Sequence, residues 1–497
     1  MKLYSNGESF KIYHGDMLDM LEVVEENSVD SIVCDPPYGL TSITKRFGSE
    51  DSSECKYARD GSFQRLSRGF MGKTWDGSGI EYNVDAWKKC YDVLKPGGYL
   101  LAFGGSRTFY RIACAIEDAG FEIRDTIMWL YGSGFPKSMN IGLMLDKRNG
   151  VESEVVGTSR SGASSRAYQS EETTTAGEYE IRKARNEWNG WGTALKPAFE
   201  PIIVARKPFK GSLIDNIIEN GVGGINIDEC RIGDEARTYK GMSAHKPEGA
   251  GVFRDDNWEP KDIEVSVNGR FPANTILTYD ETDFDEVCGG FPNTKGGKRH
   301  NIAIRKSEKN SGYGFEVNTR NEFDDSGSAS RYFYCAKASK KDRDEGLDML
   351  ETKKTGELQG GRKEGSAGSI MLNTDGTTRV NPYAGTGAPK KNIHPTVKPT
   401  ELMQYLVRLV TPNGGVVLDP FMGSGSTGKA VMYENKERNK DYKFIGIELT
   451  DEYLPIAHGR ISYVCGNGTI CEVANEEEVV QEISEEITPN DLFNDLD

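Results

Sequence analysis

The sequence predicts an α/β protein with a mostly parallel, doubly wound sheet. Up to residue 131, short apolar runs that favour strands alternate with amphipathic stretches that favour helices. This alternation is typical of parallel sheets, in which helices connect successive strands. The pattern stops after residue 136 and returns at residue 394. A chain of 497 residues has room for two or three domains and an ample core.

The first run of alternating elements begins at residue 10. We also expect Phe199–Arg206 to form a strand that pairs with Phe121–Tyr131, as a hairpin whose connection is greatly enlarged. The other predicted elements of this run are, in chain order, the strand Phe10–Asp16, the helix Met17–Val24, the strand Val29–Cys34, the helix Val84–Val93, the strand Tyr99–Phe103 and the helix Arg107–Ala119.

A stiff turn follows the strand Val29–Cys34. It consists of Asp35, Pro36, Pro37, Tyr38 and Gly39. Proline has no N–H to donate to a β-ladder, so Asp35 and Tyr38 are expected at the carboxyl end of the strand. Ligands bind at that edge of open α/β sheets. Taken alone, the turn fits an ordinary strand ending about as well as a binding site.

The second run begins at His394. A helix with an apolar face follows it and leads to the strand Val416–Leu418. After a glycine-containing loop come a helix, Lys429–Asn435, and the strand Phe444–Glu448, which ends in an acid. The loop consists of Asp419, Pro420, Phe421, Met422, Gly423, Ser424, Gly425, Ser426, Thr427 and Gly428.

This glycine loop has two interpretations. Gly423–Lys429 fits the first part of a phosphate-binding P-loop, but Ala430 stands where that loop needs a hydroxyl for magnesium, and Asp419 would repel a phosphate. In the other interpretation, the loop is the Gly-x-Gly turn of a nucleotide-binding fold, and Glu448 accepts hydrogen bonds from ribose hydroxyls. A cofactor with a ribose, a cationic amino-acid end and no phosphate fits both acids, which favours S-adenosylmethionine.

Composition limits the class of protein. Hydrophobic residues make up 36% of the chain, and mean hydropathy is −0.58. With no run long enough to span a bilayer and no cationic-apolar leader, we expect a cytoplasmic protein. The nine cysteines lack a C-x-x-C pair and the five histidines are dispersed, so we expect no disulfide framework and no metal site. The net charge of −16 includes ten acidic residues in 472–497, a predicted solvated tail.

One segment of the unpatterned middle is basic. Between Lys295 and Arg320 there are seven Lys or Arg residues against Glu308 and Glu316. Such an excess suits contact with nucleic-acid phosphates, although a solvated basic loop explains it nearly as well. The candidates for phosphate contact are Lys295, Lys298, Arg299, Arg305 and Lys306.

Taken together, the Asp35–Tyr38 turn and the Asp419–Gly425 loop resemble the motifs of the S-adenosylmethionine-dependent DNA amino-methyltransferases. Their order, with the catalytic motif first and the cofactor motif last, is that of the permuted β group. The resemblance covers roughly residues 8–136 and 390–465, and it touches Lys196–Pro208 and Arg331–Arg343. It implies a Rossmann-like sheet of seven strands, mostly parallel with one reversed hairpin, which is circularly permuted and has a large inserted target-recognition region.

The resemblance also implies which residues bind S-adenosyl-L-methionine. Asp16 corresponds to the acid beside the adenine ring of the cofactor, and Glu448 would bind its ribose. The segment Lys398-Pro399-Thr400 and the helix after it would pack over the methionine end. The remaining cofactor-binding candidates belong to the glycine loop and are Asp419, Phe421, Gly423, Ser424, Gly425 and Ser426.

The chemistry implied by the resemblance is methylation of an exocyclic amine of a base. Asp35 and the carbonyl of Pro36 would accept the two hydrogens of the amine, which frees the nitrogen lone pair for attack. The base must leave the duplex, Tyr38 would stack against it, and Pro37 mainly fixes the turn. Aspartate in the first position favours adenine N6 within the family, whereas serine there is commoner for cytosine N4.

The predicted organisation has seven parts. These are the catalytic half of the core (1–136), a polar insertion (137–195), a core strand (196–208), a target-recognition region (209–345), a flexible connection (346–392), the cofactor-binding half of the core (393–471) and the acidic tail (472–497). The implied partner is double-stranded DNA. Because dimers are common in the permuted group, a homodimer stays open, as does a separately encoded restriction endonuclease.

Other functions stay open at this point. The same chemistry can act on RNA or on a glutamine amide of a protein, and Gly423–Lys429 leaves an NTPase as a further alternative. A degenerate core that only binds cofactor or DNA is another, but it has no reason to keep Asp35, Tyr38 and Glu448 together.

Overall fold

The computed structural model describes residues 2–39, 78–131, 138–160, 178–242, 262–280, 293–295, 326–328, 333–338, 340–352, 370–372, 378–380 and 391–466. Within these segments, no helix combines the length and the apolar character that crossing a membrane requires. The predicted acidic tail and the basic candidates Lys298, Arg299, Arg305 and Lys306 lie outside the described residues. Lys295 ends a three-residue strand, and the structure describes nothing of its side chain.

The described strands are β1 (Lys2–Gly7), β2 (Phe10–His14), β3 (Val29–Cys34), β4 (Leu94–Phe103), β5 (Glu122–Tyr131), β6 (Glu154–Arg160), β7 (Glu178–Lys183), β8 (Phe199–Arg206), β9 (Ile232–Met242), β10 (Asp262–Arg270), β11 (Thr275–Asp280), β12 (Asn293–Lys295), β13 (Ser326–Ser328), β14 (Tyr334–Ala338), β15 (Ile370–Leu372), β16 (Thr378–Val380), β17 (Val416–Asp419) and β18 (Lys443–Glu448). The described α-helices are α1 (Met17–Met20), α2 (Val84–Val93), α3 (Phe109–Asp118), α4 (Ile141–Arg148), α5 (Leu213–Asn220), α6 (Lys340–Asp344), α7 (Thr400–Val410), α8 (Ser426–Arg438) and α9 (Leu454–Val464).

A central sheet of ten strands forms the core, in the order β1-β2-β18-β17-β3-β4-β8-β5-β11-β14. Only β1 and β8 run antiparallel to their neighbours in this sheet. The predicted α/β class with a mostly parallel sheet is therefore confirmed. The strand count of seven is too low, because the edge strand β1 and two strands from the middle of the chain, β11 and β14, extend the sheet.

The reversed hairpin of the sheet consists of β5 and β8. These strands pair antiparallel, with Ile127 opposite Ile202 and Trp129 opposite Glu200. This is the pairing expected from the sequence, despite the long connection between the two strands. Because β8 runs against the parallel strands, it begins at the edge of the sheet where those strands end.

The two runs of the sequence interlock in the centre of the sheet. Strands β17 and β18 lie between β2 and β3, so that Leu418 is beside Ile32 and Phe444 is beside Phe10. The permuted order expected from the resemblance therefore corresponds to an interleaving of strands from the two runs. Neither run has a complete sheet without the other.

Helices cover both faces of the sheet. Alternation along each strand sends side chains to opposite faces, so Ile32 packs with Trp87 of α2 and Ile116 of α3. Val33 packs on the other face with the cluster that includes Leu406 of α7, together with residues of α8 and α9. The result is a three-layer arrangement in which the sheet is buried between helices.

The middle of the chain also contributes to the core. Strands β11 and β14 come from residues 209–345, yet they continue the central sheet beyond β5. The predicted connection 346–392 also begins and ends in packed structure. Leu347 is buried with Tyr453 and Ile456, and Asn392 is buried with its amide donating to the Arg343 carbonyl at 2.9 Å.

Candidate active site

Four acids stand side by side at the carboxyl edge of the parallel strands. Asp16 follows β2, Glu448 ends β18, Asp419 ends β17 and Asp35 follows β3, and these strands are consecutive in the sheet. All four line one cleft of about 1850 Å³. The sequence-derived catalytic and cofactor motifs therefore meet in one place.

The turn after β3 is held from two sides. The carbonyl of Tyr38 accepts hydrogen bonds from the hydroxyls of Thr108 at 2.7 Å and Tyr82 at 3.2 Å. Gly39 has a φ of +55°, in the region that favours glycine. The preceding Cys34 is fully buried, and burial raises the pKa of its thiol well above the ordinary value, which argues against a cysteine nucleophile.

Lys398 lies between two carboxylates in this cleft. Its ammonium is 2.6 Å from Asp35 Oδ2 and 3.3 Å from Glu200 Oε2. The Tyr38 hydroxyl is 2.9 Å from Asp35 Oδ1 and 2.7 Å from Glu200 Oε2, and it accepts a hydrogen bond from Lys398 at 3.1 Å. The Lys398 ammonium also lies 4.8 Å from the centre of the Phe103 ring. We call Asp35, Tyr38, Glu200 and Lys398 the Lys398 cluster.

Burial and charge shift the pKa values in the Lys398 cluster. Burial raises the pKa of Asp35, the Lys398 charge opposes that shift, and the Glu200 charge adds to it. For Lys398, burial alone would lower the pKa, but the two carboxylates raise it above the ordinary value. Burial and the same carboxylates hold the pKa of Tyr38 well above its usual range. Lys398 is therefore a cation and Tyr38 a neutral phenol near neutral pH.

The glycine loop after β17 is held by backbone geometry and one arginine. Gly423 has a φ of +53° and donates its N–H to Glu448 Oε2 at 2.8 Å. Gly425 has a φ of +72°, and a Cβ there would lie 2.8 Å from Ala457 Cα. Arg460 of α9 is fully buried and donates to the Ser424 carbonyl at 2.8 Å and to the Ser426 hydroxyl at 3.0 Å.

Asp419 and Glu448 are buried carboxylates with backbone and hydroxyl partners. Asp419 accepts from the Phe421 N–H at 3.1 Å and from the Thr427 hydroxyl at 2.5 Å. Burial raises the pKa of Asp419 to about 7 and also raises that of Glu448. Among the described residues, neither acid forms an ion pair with Lys or Arg within 4 Å. Such a pair of acids suits a cationic ligand.

Comparison with known proteins identifies the family. A family model for N6/N4 methyltransferases, described as DNA methylase, matches residues 29–459, which is most of the chain.

The chain belongs to the N6/N4 DNA methylase family.

The matches to individual proteins have low sequence identity. The type II methyltransferase M.HindIII of Haemophilus influenzae is 24% identical over 234 residues, covering 43% of this chain and 64% of the relative. The solved PvuII DNA methyltransferase, which is cytosine-N4-specific, is 13% identical with a TM-score of 0.36, covering 99% of this chain and 95% of that one. A complex of M1.HpyAVI with SAM is 14% identical with a TM-score of 0.31, covering 91% and 98%. The chain spans less than two thirds of the length of the curated relatives it matches.

S-adenosyl-L-methionine is the cofactor of this DNA methylase family, and the residues at the cleft fit it. The two buried acids suit its ribose hydroxyls and its cationic amino-acid end. The loop between Gly423 and Gly425 presents little side-chain bulk, so a ligand can approach the backbone closely. No group of three or more metal-ligating side chains occurs in the part of the chain that the structure describes.

Several predicted residues have other contacts in the structure. Asp16 caps α1 by accepting from the Leu18 N–H at 3.1 Å, while still lining the cleft. Lys398 lines the cleft, but its ammonium contacts the carboxylates of Asp35 and Glu200. Thr400 does not line the cleft, because its N–H and hydroxyl bond to Asp342 at 2.8 and 2.6 Å, and neither does Pro399.

The P-loop interpretation also fails on geometry. Lys429 is fully buried, and its ammonium lies 2.6 Å from Asp342 Oδ1 and 2.9 Å from Glu345 Oε2. Its ammonium is therefore paired with two carboxylates and is not available to bind a phosphate. Lys429 instead ties α8 to α6.

Sequence reasoning missed Glu200 and Arg460. Glu200 is the only acid in the apolar strand β8, and a reversed strand begins at the edge where parallel strands end. That combination is a usable signal for a residue that faces the cleft. Arg460 has no comparable signal, because an arginine in a helix is ordinarily expected on the surface.

Proposed function

We propose that this chain is a site-specific DNA methyltransferase that transfers a methyl group from S-adenosyl-L-methionine to adenine N6 of a base flipped out of the duplex. Cytosine N4 is the second candidate. The observation that supports this function best is the adjacency of Asp35 to Asp419 and Glu448 along one edge of the sheet. A methyl-accepting base held by Asp35 would then lie next to a cofactor held by the glycine loop.

The residues of the turn would prepare the target amine. Asp35 and the Pro36 carbonyl would each accept one N–H of the exocyclic amine. Withdrawing these hydrogens makes the nitrogen more tetrahedral and its lone pair more available. The ring of Tyr38, whose backbone is fixed by Thr108 and Tyr82, would stack against the flipped base. The catalysis would therefore be alignment and electrostatics, with no covalent enzyme intermediate.

The cofactor would lie along the three acids from β2 to β17. Asp16 would face its adenine, Glu448 its ribose and Asp419 its cationic amino-acid end, while Phe421, Ser424 and Ser426 would complete the contact. When bound, it would supply a methyl group on a positively charged sulfur. Asp35 would hold the amine nitrogen toward that methyl group, and the carboxylates would favour the positive charge that develops on the nitrogen. The sulfur would keep the electron pair of the broken bond as a neutral thioether, and the nitrogen would release one N–H proton by way of Asp35 to solvent.

Aspartate in the first position of the turn supports adenine N6. An aspartate carboxylate is a stronger acceptor than a serine hydroxyl. Glu200 and Lys398 surround it with further charge, so the amine would meet a charged and buried site. Methylation of cytosine N4 would use the same two hydrogen-bond acceptors for the amine and would differ in needing a smaller pocket for the flipped base.

Single-molecule modification sequencing of genomic DNA tests this proposal. A methylation-free host would express the full chain or the Asp35→Ala variant. N6-methyladenine at one sequence motif, present with the wild type and absent with the variant, is the expected result. N4-methylcytosine instead would select the second candidate. An unmodified genome from soluble, cofactor-binding protein would contradict DNA as the substrate.

Phosphate contact by Lys295, Lys298, Arg299, Arg305 and Lys306 forms part of the proposal for double-stranded DNA. Replacing one of these with alanine is expected to lower affinity for all DNA sequences alike and to reduce the dependence of affinity on salt. Titration of fluorescent duplexes at several salt concentrations measures both. A loss confined to one base sequence would contradict a phosphate contact.

A further inference from the structure

Glu200 shares both polar partners of the proposed catalytic Asp35. The Lys398 ammonium lies within 3.3 Å of Glu200 Oε2, and the Tyr38 hydroxyl lies 2.7 Å from the same oxygen. Glu200 stands at the start of β8, opposite Trp129 of β5, and lines the cleft. Its side chain is about as exposed as that of Asp35, at 20% against 21%.

The Tyr38 hydroxyl can serve only one carboxylate as donor. It has one hydrogen, and its oxygen already accepts from Lys398 at 3.1 Å. The distance to Glu200 is 2.7 Å and that to Asp35 is 2.9 Å. If the hydrogen goes to Glu200, Asp35 Oδ1 keeps its lone pairs for another donor. The other oxygen, Oδ2, remains paired with Lys398.

We propose that Glu200 is a positioning residue for methyl transfer. It accepts the hydrogen bond of the Tyr38 hydroxyl and shares the Lys398 ammonium with Asp35, so that Asp35 Oδ1 stays free to accept the N–H of the target amine. This inference rests on the proposed function. Glu200 does not touch the amine in this scheme. It acts through Tyr38 and Lys398.

The charges of the cluster agree with this role. Two carboxylates and one ammonium leave a net charge of −1 beside the site where the amine nitrogen becomes positive. Without Glu200, Lys398 and Tyr38 would both turn to Asp35, and their hydrogen bonds would withdraw charge from the carboxylate that must accept the amine. The other group that faces Glu200 is the Tyr131 hydroxyl, which donates to Oε1 at 3.3 Å.

The test compares Glu200→Gln with wild type in steady-state methylation of unmethylated duplex DNA. Glutamine keeps the shape but loses the charge. We expect kcat to fall by about 10-fold to 100-fold, the loss typical of a hydrogen bond to a charged group, with the Kd values for cofactor and DNA unchanged. Glu122→Gln is the matched control, because Glu122 lies at the other end of the same hairpin and pairs with Arg206 at 2.7 Å. It should keep full kcat.

The pH profile of kcat separates positioning from a structural role. Because the Glu200 charge raises the pKa of Asp35, removing that charge should move the acid limb of the kcat profile to lower pH. The maximal kcat of the variant should nevertheless be lower than that of wild type. A variant that is merely damaged would lose activity at every pH without moving the limb. Glu200→Asp, which is too short to reach Tyr38, should lose kcat while moving the limb less.

A double-mutant cycle with Tyr38→Phe tests the route of action. Phenylalanine keeps the ring but removes the hydroxyl, so Glu200→Gln should cost much less kcat in that background than in wild type. Equal costs in both backgrounds, or unchanged kcat and pH profile in Glu200→Gln, would overturn the role of Glu200. A wild-type protein without methyl transfer would instead overturn the proposed function itself, so the two failures are distinguishable.

Discussion

The ammonium of Lys398 lies 2.6 Å from Asp35 Oδ2, although 363 residues separate the two along the chain. Lys398 lies two residues before α7, which packs on the face of the sheet opposite α2 and α3. Its side chain therefore joins the second run of the sequence to the Asp35–Tyr38 turn of the first. The charge state of Asp35 depends on this contact.

Replacing Lys398 with methionine should make Asp35 harder to ionise. Burial and Glu200 both raise the pKa of Asp35, and only Lys398 and the Tyr38 hydrogen bond lower it. We expect the acid limb of the kcat profile to move to higher pH, with lower activity at neutral pH. Steady-state kinetics across pH measures this, with Lys95→Met as control because Lys95 pairs with Asp30 elsewhere. A limb that stays in place would contradict the ion pair.

Asp35→Ala should abolish methyl transfer while sparing cofactor binding. The carboxylate is the proposed acceptor for the target amine, and its loss should lower kcat by about 100-fold or more. Asp419 and Glu448 are untouched, so the affinity for S-adenosylmethionine should stay within the error of calorimetry. Undiminished methyl transfer by a folded variant would refute the mechanism.

Asp419→Asn should remove a pH dependence from stability. Burial raises the pKa of Asp419 to about 7, so between its ordinary value and 7 the folded protein keeps a proton that the unfolded chain has lost. This contribution is full below the unfolded pKa and is lost as pH rises through 7, at up to about 1.4 kcal/mol per pH unit. In urea unfolding of the cofactor-free protein, the stability of Asp419→Asn relative to that of wild type should therefore increase as the pH rises from the ordinary aspartate pKa to 7. Parallel curves would argue against a buried, protonated Asp419.

Gly425→Ala should strain the cofactor loop more than its φ angle alone predicts. A Cβ at Gly425 would meet Ala457 Cα at 2.8 Å, whereas Gly414 has a similar φ of +75° and open space around it. We expect a loss of about 2–3 kcal/mol for Gly425→Ala and about 1 kcal/mol for Gly414→Ala in chemical unfolding. Only Gly425→Ala should weaken cofactor binding. Equal effects of the two variants would remove the steric argument.

The buried ion pair between α7 and α8 should be costly to break. Arg408 binds Glu434 through two hydrogen bonds of 2.9 and 2.6 Å, and Glu434 is fully buried. Arg408→Met should lower the free energy of unfolding by about 3 kcal/mol, because Arg438, at 3.6 Å and largely exposed, compensates only in part. Arg408→Met with Glu434→Leu should recover much of the loss. A double variant as unstable as the single one would show that packing, not charge, is responsible.

Local sequence was enough to find the acids of the cleft. Asp35, Asp419 and Glu448 each end a strand with a clear apolar pattern, and parallel strands bring their carboxyl ends together. The same patterns predicted the reversed hairpin, because Phe199–Arg206 is apolar and isolated among polar residues. These features depend on residues within a few positions of each other.

What the sequence did not reveal depends on distant contacts. Strands β11 and β14 are short and have no flanking helix pattern, so only their pairing with β5 and with each other makes them part of the sheet. Asp342 is similar, because its contacts with Thr400 and Lys429 join three elements and leave no local pattern. The sequence likewise did not show that Lys398 pairs with Asp35, because only the fold brings these two residues together.

The position of β17 and β18 between β2 and β3 has a consequence for synthesis on the ribosome. The strands that flank the gap emerge early, but those that fill it are translated only after almost 400 further residues, on the order of tens of seconds later. During that interval β2 and β3 each present an unpaired, apolar edge to solvent. Translation speed and chaperone access should thus determine how much of this chain reaches the native state, more than for a protein whose central strands are made first.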